Sequence, residues 1–532
     1  MLNFVLPPSE PLAVIVGGGT CGSLLALLLS EQGWLVNVYE KRPRQLDSTE
    51  GVPAGAAWNV VLGRRSLAAL ENAGVLQEVL DRSVELLGEV AVRDRGDDML
   101  TRYPFQALCI SEASLADTLV SAGLQRYPRH IRYHFSHRCT AVDFNTNGAV
   151  FVSETSSDAE RMASSAIVVK KSPPADLLVG ADGANSTVRM GMMSNAPMFG
   201  FSQYFHPDQL YKAVRVALRP GSVAVDRRSV QTRRRRLLQL SDAVYTLRRV
   251  YRGQPVVCQL LPNLDRTYAL VLGGRALLHC PETSQIRQLF HSAFPEVALL
   301  IPDATFGVLA AAPLLTFPSV SCSRLHHNGA VLVGAAAHAM FPDMHISTDA
   351  GIADCIALAE RLRESGGAQS TGRLRGALRA LSAERLPAAS AAAGLARAAA
   401  PPAQGRPLMG ALAQLRWGVL VRCSSGLRSL AFLPWELKLL GTSASYPDIQ
   451  RWRGQEAFLL AGLLICGASI AVYLLLLLIG QLSAESLCPA ALSRSLEWLN
   501  GAFPAGSKLW VALAAALGDA RKALCARLSL LV

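Results

Sequence analysis

Gly17, Gly19 and Gly22 stand just after a short apolar run, Ala13 to Val16, and just before an apolar stretch from Leu24 to Leu29 that ends at Gly33. A second apolar run, Leu35 to Tyr39, closes on Glu40, 18 residues past Gly22. The order reads strand, turn, helix, strand, with an acid at the tip of the second strand. Each glycine has a physical reason to be there. Gly17 makes the tight turn, Gly19 lets bare backbone approach a diphosphate, and Gly22 lets helix and strand close up. The helix start offers unpaired amides and partial positive charge to phosphates. Glu40 can accept hydrogen bonds from a ribose diol, and Lys41 follows it at the same site. The pattern predicts a dinucleotide-binding turn.

Two further turns follow. Asp182-Gly183 ends the apolar run Leu177 to Gly180 and precedes a helix expected to start near Ser186. An Asp-Gly pair alone is a common turn. The run Ala330 to Val333 enters Gly334, Ala335, Ala336, Ala337 and His338 and reaches Pro342, with a helix expected from about Asp349 to Leu362. His338 alone reads as a helix-flanking or core histidine. No two of the 11 cysteines form a C-x-x-C pair. Cys21, Cys258, Cys355 and Cys466 lie in apolar stretches, as buried free thiols of a reducing compartment would. No structural zinc ligand spacing is present, so no metal is expected.

The elements that must position these residues follow from composition. The 532 residues are 51% hydrophobic and 17% charged, which excludes dominant disorder. Scattered Gly and Pro exclude collagen and coiled coil. The formal charge is +12, with Arg233 to Arg236 in a row and Arg227, Arg228, Arg248, Arg249 and Arg252 nearby. These are read as a solvated loop or strand edge. No aromatic residues interleave them, so nucleic acid is not an expected partner. The N-terminus lacks a basic n-region, and Pro7 and Pro8 break its apolar stretch, so no cleaved leader is expected. Ala457 to Gly480 holds no charged residue and is long enough for a transmembrane helix. Arg451, Trp452 and Arg453 form its basic, aromatic flank, which leaves the large N-terminal part cytosolic. Residues 481–532 form an apolar tail in which Leu509 to Leu517 could make a shorter interfacial helix.

Taken in order, the three glycine turns resemble those of the FAD-dependent, NAD(P)H-using aromatic hydroxylases, and within them the kynurenine 3-monooxygenase family. The resemblance extends further. Asn59 to Arg65, with Ala69 and Leu70, is similar to that family's N-L-A-L-S-x-R-G stretch. Leu108 to Ser111 with Leu115 is similar to its L-S-V-S-R-x-x-L segment, and Leu261-Pro262-Asn263 to its L-P-N strand end. Phe432 to Pro434, Tyr446 and Gln450 to Trp452 match its C-terminal region. The fold implied is α/β: a Rossmann-like FAD-binding domain over 10–200 and 310–365, and an inserted β-sheet substrate domain over 201–309. A helical C-terminal region over 366–455, the transmembrane helix at 457–480 and the tail complete it. The implied cofactors are FAD and NADPH, and the reaction is ring hydroxylation of a small aromatic substrate through a flavin C4a-hydroperoxide. Gly334 and Pro342 join Gly17, Gly19, Gly22, Glu40, Lys41, Asp182 and Gly183 as implied cofactor residues, and Tyr103 and Asn59 as substrate residues. The implied membrane is the mitochondrial outer membrane.

The departures from the family cluster where ring chemistry belongs. Its late G-D turn reads Gly334-Ala335 here, and Ala335 cannot accept a hydrogen bond. Its P-x-x-G-Q-G-x-N reads Pro342 to Asp349, with His345, Ile346 and Ser347 in place of G-Q-G. Its S-R arginine is Glu112, and its substrate-carboxylate arginine falls at Ala56. No tyrosine stands between Ala396 and Ala400, where the family has a late one. The dinucleotide half is intact and the ring half is eroded. Two expectations follow: a monooxygenase with an altered substrate, or a non-catalytic relative kept as a membrane-bound interaction subunit.

Overall fold

Short apolar runs bounded by turn residues pair into a six-stranded sheet. Its order is His326–His327, Ala330–Leu332, Leu177–Gly180, β1 (Leu12–Val16), β2 (Leu35–Tyr39) and Ile131–His134. Every pairing is parallel except that of His326–His327. The computed structural model describes residues 10–44, 58–92, 99–153, 168–219, 242–342, 346–366, 371–399 and 434–457. In β1 the period of two sends Ala13 and Ile15 into one core and Val14 and Val16 into another. A strand buried on both faces cannot alternate with polar residues, which is why it reads as a continuous apolar run. α1 (Thr20–Glu31) covers the first face with Leu24, Leu25 and Leu29, and helices Ile346–Glu364 and Thr371–Ala399 extend that core through Leu358, Leu362 and Leu378.

A seven-stranded sheet lies beside this layer. Its order is Leu315–Thr316, Leu210–Val216, Tyr268–Gly273, Gln254–Pro262, Ala243–Tyr251, Gly88–Val92 and Met99–Arg102. The stretch 201–309 therefore does not close on itself. Ala243–Tyr251 pairs in parallel with Gly88–Val92, a strand from the N-terminal stretch, which covers what would otherwise be a bare edge. The stretch is also not strand throughout. Beyond Gly273 it turns helical, at Arg275–His279, Thr283–Ala293, Pro295–Ala298 and Ala304–Ala311. Ile286, Leu289, Phe290 and Ala293 recur at helical spacing and cover Tyr245, Leu247, Leu260 and Leu270 of the sheet.

Arg249 corrects the reading of the basic cluster as solvated. Its guanidinium lies 3.6 Å from Glu296, with side chains only 7% and 13% exposed. Arg227, Arg228 and Arg233 to Arg236 lie outside the described residues. Helix Trp435–Gly441 packs back onto the N-terminal part. A Cβ at Gly63 would stand 2.3 Å from Leu440 O, and one at Gly441 2.3 Å from the Phe105 ring. From Arg451 onward the chain forms a second unit, of which residues 451–457 are described as helix. No helix among the described residues is long and apolar enough to cross a membrane. The span expected at 457–480 lies outside them from residue 458, as does the tail.

Candidate functional site

At the carboxyl ends of β1 and β2 the chain opens a cleft of ≈570 Å³. Its floor is the turn into α1. Gly17 adopts φ +104°, and a Cβ there would sit 2.3 Å from Ala181 O. A Cβ at Gly22 would sit 1.9 Å from Gly17 O, so helix and turn touch through bare backbone. Gly19 has nothing within 4 Å of that direction, and its backbone faces the cleft. No side chain caps α1, so its first-turn amides are free to meet an anion. Glu40, buried at the tip of β2, accepts from Gly18 N–H at 2.8 Å, Arg42 N–H at 3.0 Å and Arg42 Nε at 3.1 Å. Lys41 lines the same end, beside Arg138 and Cys139. Those two come from strand His137–Asp143, and no sequence motif marks them.

Directly beside the Gly17 turn stands Asp182. Its Oδ2 accepts from Thr187 N–H at 2.7 Å and Val188 N–H at 3.3 Å, and so holds the start of helix Thr187–Asn195. Its Oδ1 is buried with no protein partner. Burial pushes this carboxyl up, against the pull of Ser186 and the amides of Val188 and Thr187. Gly183 follows at φ +81°, a left-handed turn that suits glycine. Glu112 stands on the cleft wall as first residue of helix Glu112–Arg126. Desolvation raises its carboxyl above the ordinary value, and Arg42 opposes that.

Ala335, Ser347 and Thr348 line the far end. Gly334 does not line it. It turns at φ +59° and donates its N–H to Asp354 Oδ2 at 2.9 Å. His338 Nε2 lies 2.5 Å from the same oxygen, and Arg385 Nε donates to Asp354 Oδ1 at 2.7 Å. Burial alone would raise Asp354, but His338 and Arg385 outweigh it and hold the carboxyl below its usual range. His338 is thus a buried strut between turn and helix. Pro342 is half-buried and outside the lining. Asp349 is enclosed by Arg65 Nη1 at 2.5 Å, Ser66 Oγ at 2.6 Å and Tyr446 OH at 2.5 Å, with Arg65 stacked 4.3 Å over the Tyr446 ring. His345 and Ala56 lie outside the described residues.

Asn59 and Tyr103 are not in the cleft. The Asn59 amide donates to Pro262 O at 3.1 Å and Asn263 Oδ1 at 2.9 Å, tying its strand to the end of Gln254–Pro262. Tyr103 stacks on Phe105 with ring centroids 5.3 Å apart, and burial pushes its phenol well above the ordinary value. Trp58, Tyr211 and Phe317 pack beside them, Trp58 at 4.8 Å from Phe317 and Tyr211 at 5.5 Å. Among the described residues, these rings form an aromatic layer beside the seven-stranded sheet.

The donors and acceptors of the cleft fit FAD at its diphosphate end. Bare backbone at Gly19, uncapped amides at α1, a carboxylate at Glu40 and an orphaned acceptor at Asp182 Oδ1 match a diphosphate flanked by sugar hydroxyls. Residues 11–206 match the FAD binding domain family. The kynurenine 3-monooxygenase of Stenotrophomonas maltophilia is 30% identical over 390 residues, covering 71% of this chain and 76% of that one. That of Emericella nidulans is 28% identical over 376 residues, covering 68% and 70%. Among solved structures, 2-methyl-3-hydroxypyridine-5-carboxylic acid oxygenase superposes with TM-score 0.54 at 18% identity, covering 73% of this chain and 90% of that chain. The p-nitrophenol 4-monooxygenase of Pseudomonas putida superposes at 0.52 and 17%, covering 73% and 88%. The fold is the α/β fold of the aromatic hydroxylases, and the chain belongs, as a diverged member, to the kynurenine 3-monooxygenase family.

Proposed function

We propose that the chain holds FAD in this cleft and works as an NADPH-using monooxygenase on an aromatic substrate that lacks the kynurenine carboxylate. The observation that carries the reading is the presence in one cleft of both the open Gly19 backbone and the unpartnered Asp182 Oδ1. Bound FAD supplies hydride acceptance from the nicotinamide and activation of dioxygen. The amides of α1 would neutralise its diphosphate, and Glu40 and Asp182 would accept from its sugar and ribityl hydroxyls. Buried Asp354, fixed by His338 and Arg385, sets the Gly334 turn that leads into Ala335 on the cleft lining. Ala56 has no guanidinium to pair with a carboxylate, and such bidentate pairs are among the stronger polar contacts. Titrating the purified protein with FAD is expected to quench flavin fluorescence at saturation, and NADPH is expected to bleach the visible flavin band. No fluorescence change at any FAD concentration would overturn the reading. Product analysis with kynurenine is expected to find no 3-hydroxykynurenine.

A second reading, a non-catalytic relative, is favoured by one observation: the acid Glu112 and the methyl of Ala335 line the cleft. Flavin that binds but is never bleached by NADPH, alone or with a panel of phenols and anilines, would select it. For the C-terminus we propose a bilayer anchor at 457–480, supported by its uncharged sequence and its Arg451, Trp452, Arg453 flank.

A further inference from the structure

Cys21 is the second residue of α1 and lines the cleft, half-buried. Cys355 lies fully buried in helix Ile346–Glu364, directly behind it. The Cys355 thiol donates to Cys21 O at 3.3 Å. Two glycines confine the Cys21 sulfur: a Cβ at Gly351 would come within 2.5 Å of it, and one at Gly334 within 2.7 Å. One cysteine of the pair is thus a half-buried residue of the cleft lining, and the other is fully buried. The neighbouring Cys21 side chain and burial push the Cys355 thiol well up, and its burial keeps it from meeting a solute first.

We propose that Cys21 and Cys355 are a peroxide-oxidised thiol pair, with Cys21 the attacking and Cys355 the resolving sulfur. Cys21 sulfur attacks the O–O bond of a hydroperoxide. One oxygen leaves with the thiol proton as water or alcohol, and the other stays on Cys21 as a sulfenic acid. Cys355 sulfur then displaces that oxygen, which departs as water with the Cys355 proton. A disulfide forms, the two thiols lose two hydrogens, and the peroxide is reduced. The bond would join α1 to helix Ile346–Glu364 and replace the confined Cys21 thiol on the cleft floor. Nothing in this chemistry needs a bound flavin.

Tryptic mapping tests it cleanly, because Cys21 is the sole cysteine between Met1 and Lys41 and Cys355 the sole one between Leu325 and Arg361. Purified full-length protein, freed of reductant, is treated with a small excess of hydrogen peroxide, alkylated and digested. The expected product is the peptide 1–41 joined to 325–361, lighter by two hydrogens than the sum of the free peptides and released by dithiothreitol. In Cys355→Ser the expected product is a dimedone adduct at Cys21. Recovery of both peptides fully alkylated, or of Cys21 as sulfinic acid with Cys355 alkylated, overturns the proposal. If the variant does not fold, the wild-type map decides alone. A protein that never binds FAD still forms the link, so the two readings fail separately.

Discussion

Ala335 and Glu112 are the residues at which this cleft differs most in charge and hydrogen bonding from the pattern it resembles. Ala335→Asp restores an acceptor and is expected to tighten FAD by ~10-fold, the worth of about one charge-assisted hydrogen bond. An unchanged dissociation constant in a fluorescence titration would refute that role. Glu112 carries an acid toward a cleft suited to anions, and desolvation raises its carboxyl. Glu112→Gln is expected to strengthen FAD binding at neutral pH, with the gain fading in acid, where the wild-type carboxyl is already protonated. The sign is opposite for stability at His134, stacked 4.5 Å from Tyr39. Burial, then Lys170, His137 and Arg132, lower this imidazole to about 4. It is neutral in the fold where the unfolded chain would be charged. Its contribution is therefore full above the ordinary histidine range and lost as pH falls from there toward about 4. Urea midpoints across that window should fall less steeply in His134→Gln.

The turn-and-helix unit was legible because backbone geometry restricts the residue choice so tightly. At Gly17 and Gly22 any side chain would strike main-chain atoms, so the spacing of glycines states the fold directly. Gly22→Ala is expected to lower unfolding free energy by ~3 kcal/mol or more and to abolish flavin retention. Full stability in a denaturant titration would contradict the packing described. Partners distant in sequence were not legible. Asp349, Arg65, Ser66 and Tyr446 meet only after α2 (Arg64–Asn72), helix Ile346–Glu364 and the C-terminal segment have come together. Their positions invited comparison with a family pattern one residue at a time, not as a cluster. Asp349→Asn leaves the Arg65 guanidinium with a neutral partner and should cost ~1–3 kcal/mol, read as a lower melting temperature. The helices beyond Gly273 were missed for a related reason. Their apolar residues match the sheet they cover, and composition alone reads both as strand.

For the whole molecule, the expected site residues sort into those that line the cleft, those that only shape its turns (Gly22 and Gly334), Pro342 outside it, and those packed elsewhere. Gly17, Gly19, Glu40, Lys41, Asp182 and Gly183 line one cleft, while Asn59 and Tyr103 belong to the packing between sheets. Removal of 457–532 is expected to shift the protein from the membrane pellet to the soluble fraction, and a truncated protein that still pellets would speak against that anchor. The return of the C-terminal segment has a consequence for biosynthesis. Arg65 also donates to Ala444 O at 2.7 Å, across 379 residues. At ~5–20 residues per second, the ribosome needs about 20–75 s to supply that partner. Throughout that interval the notch at Gly63 and the ring of Phe105 stay uncovered on the nascent chain. The face that meets this segment is therefore among the last parts of the fold to be completed, after the ribosome has passed residue 444.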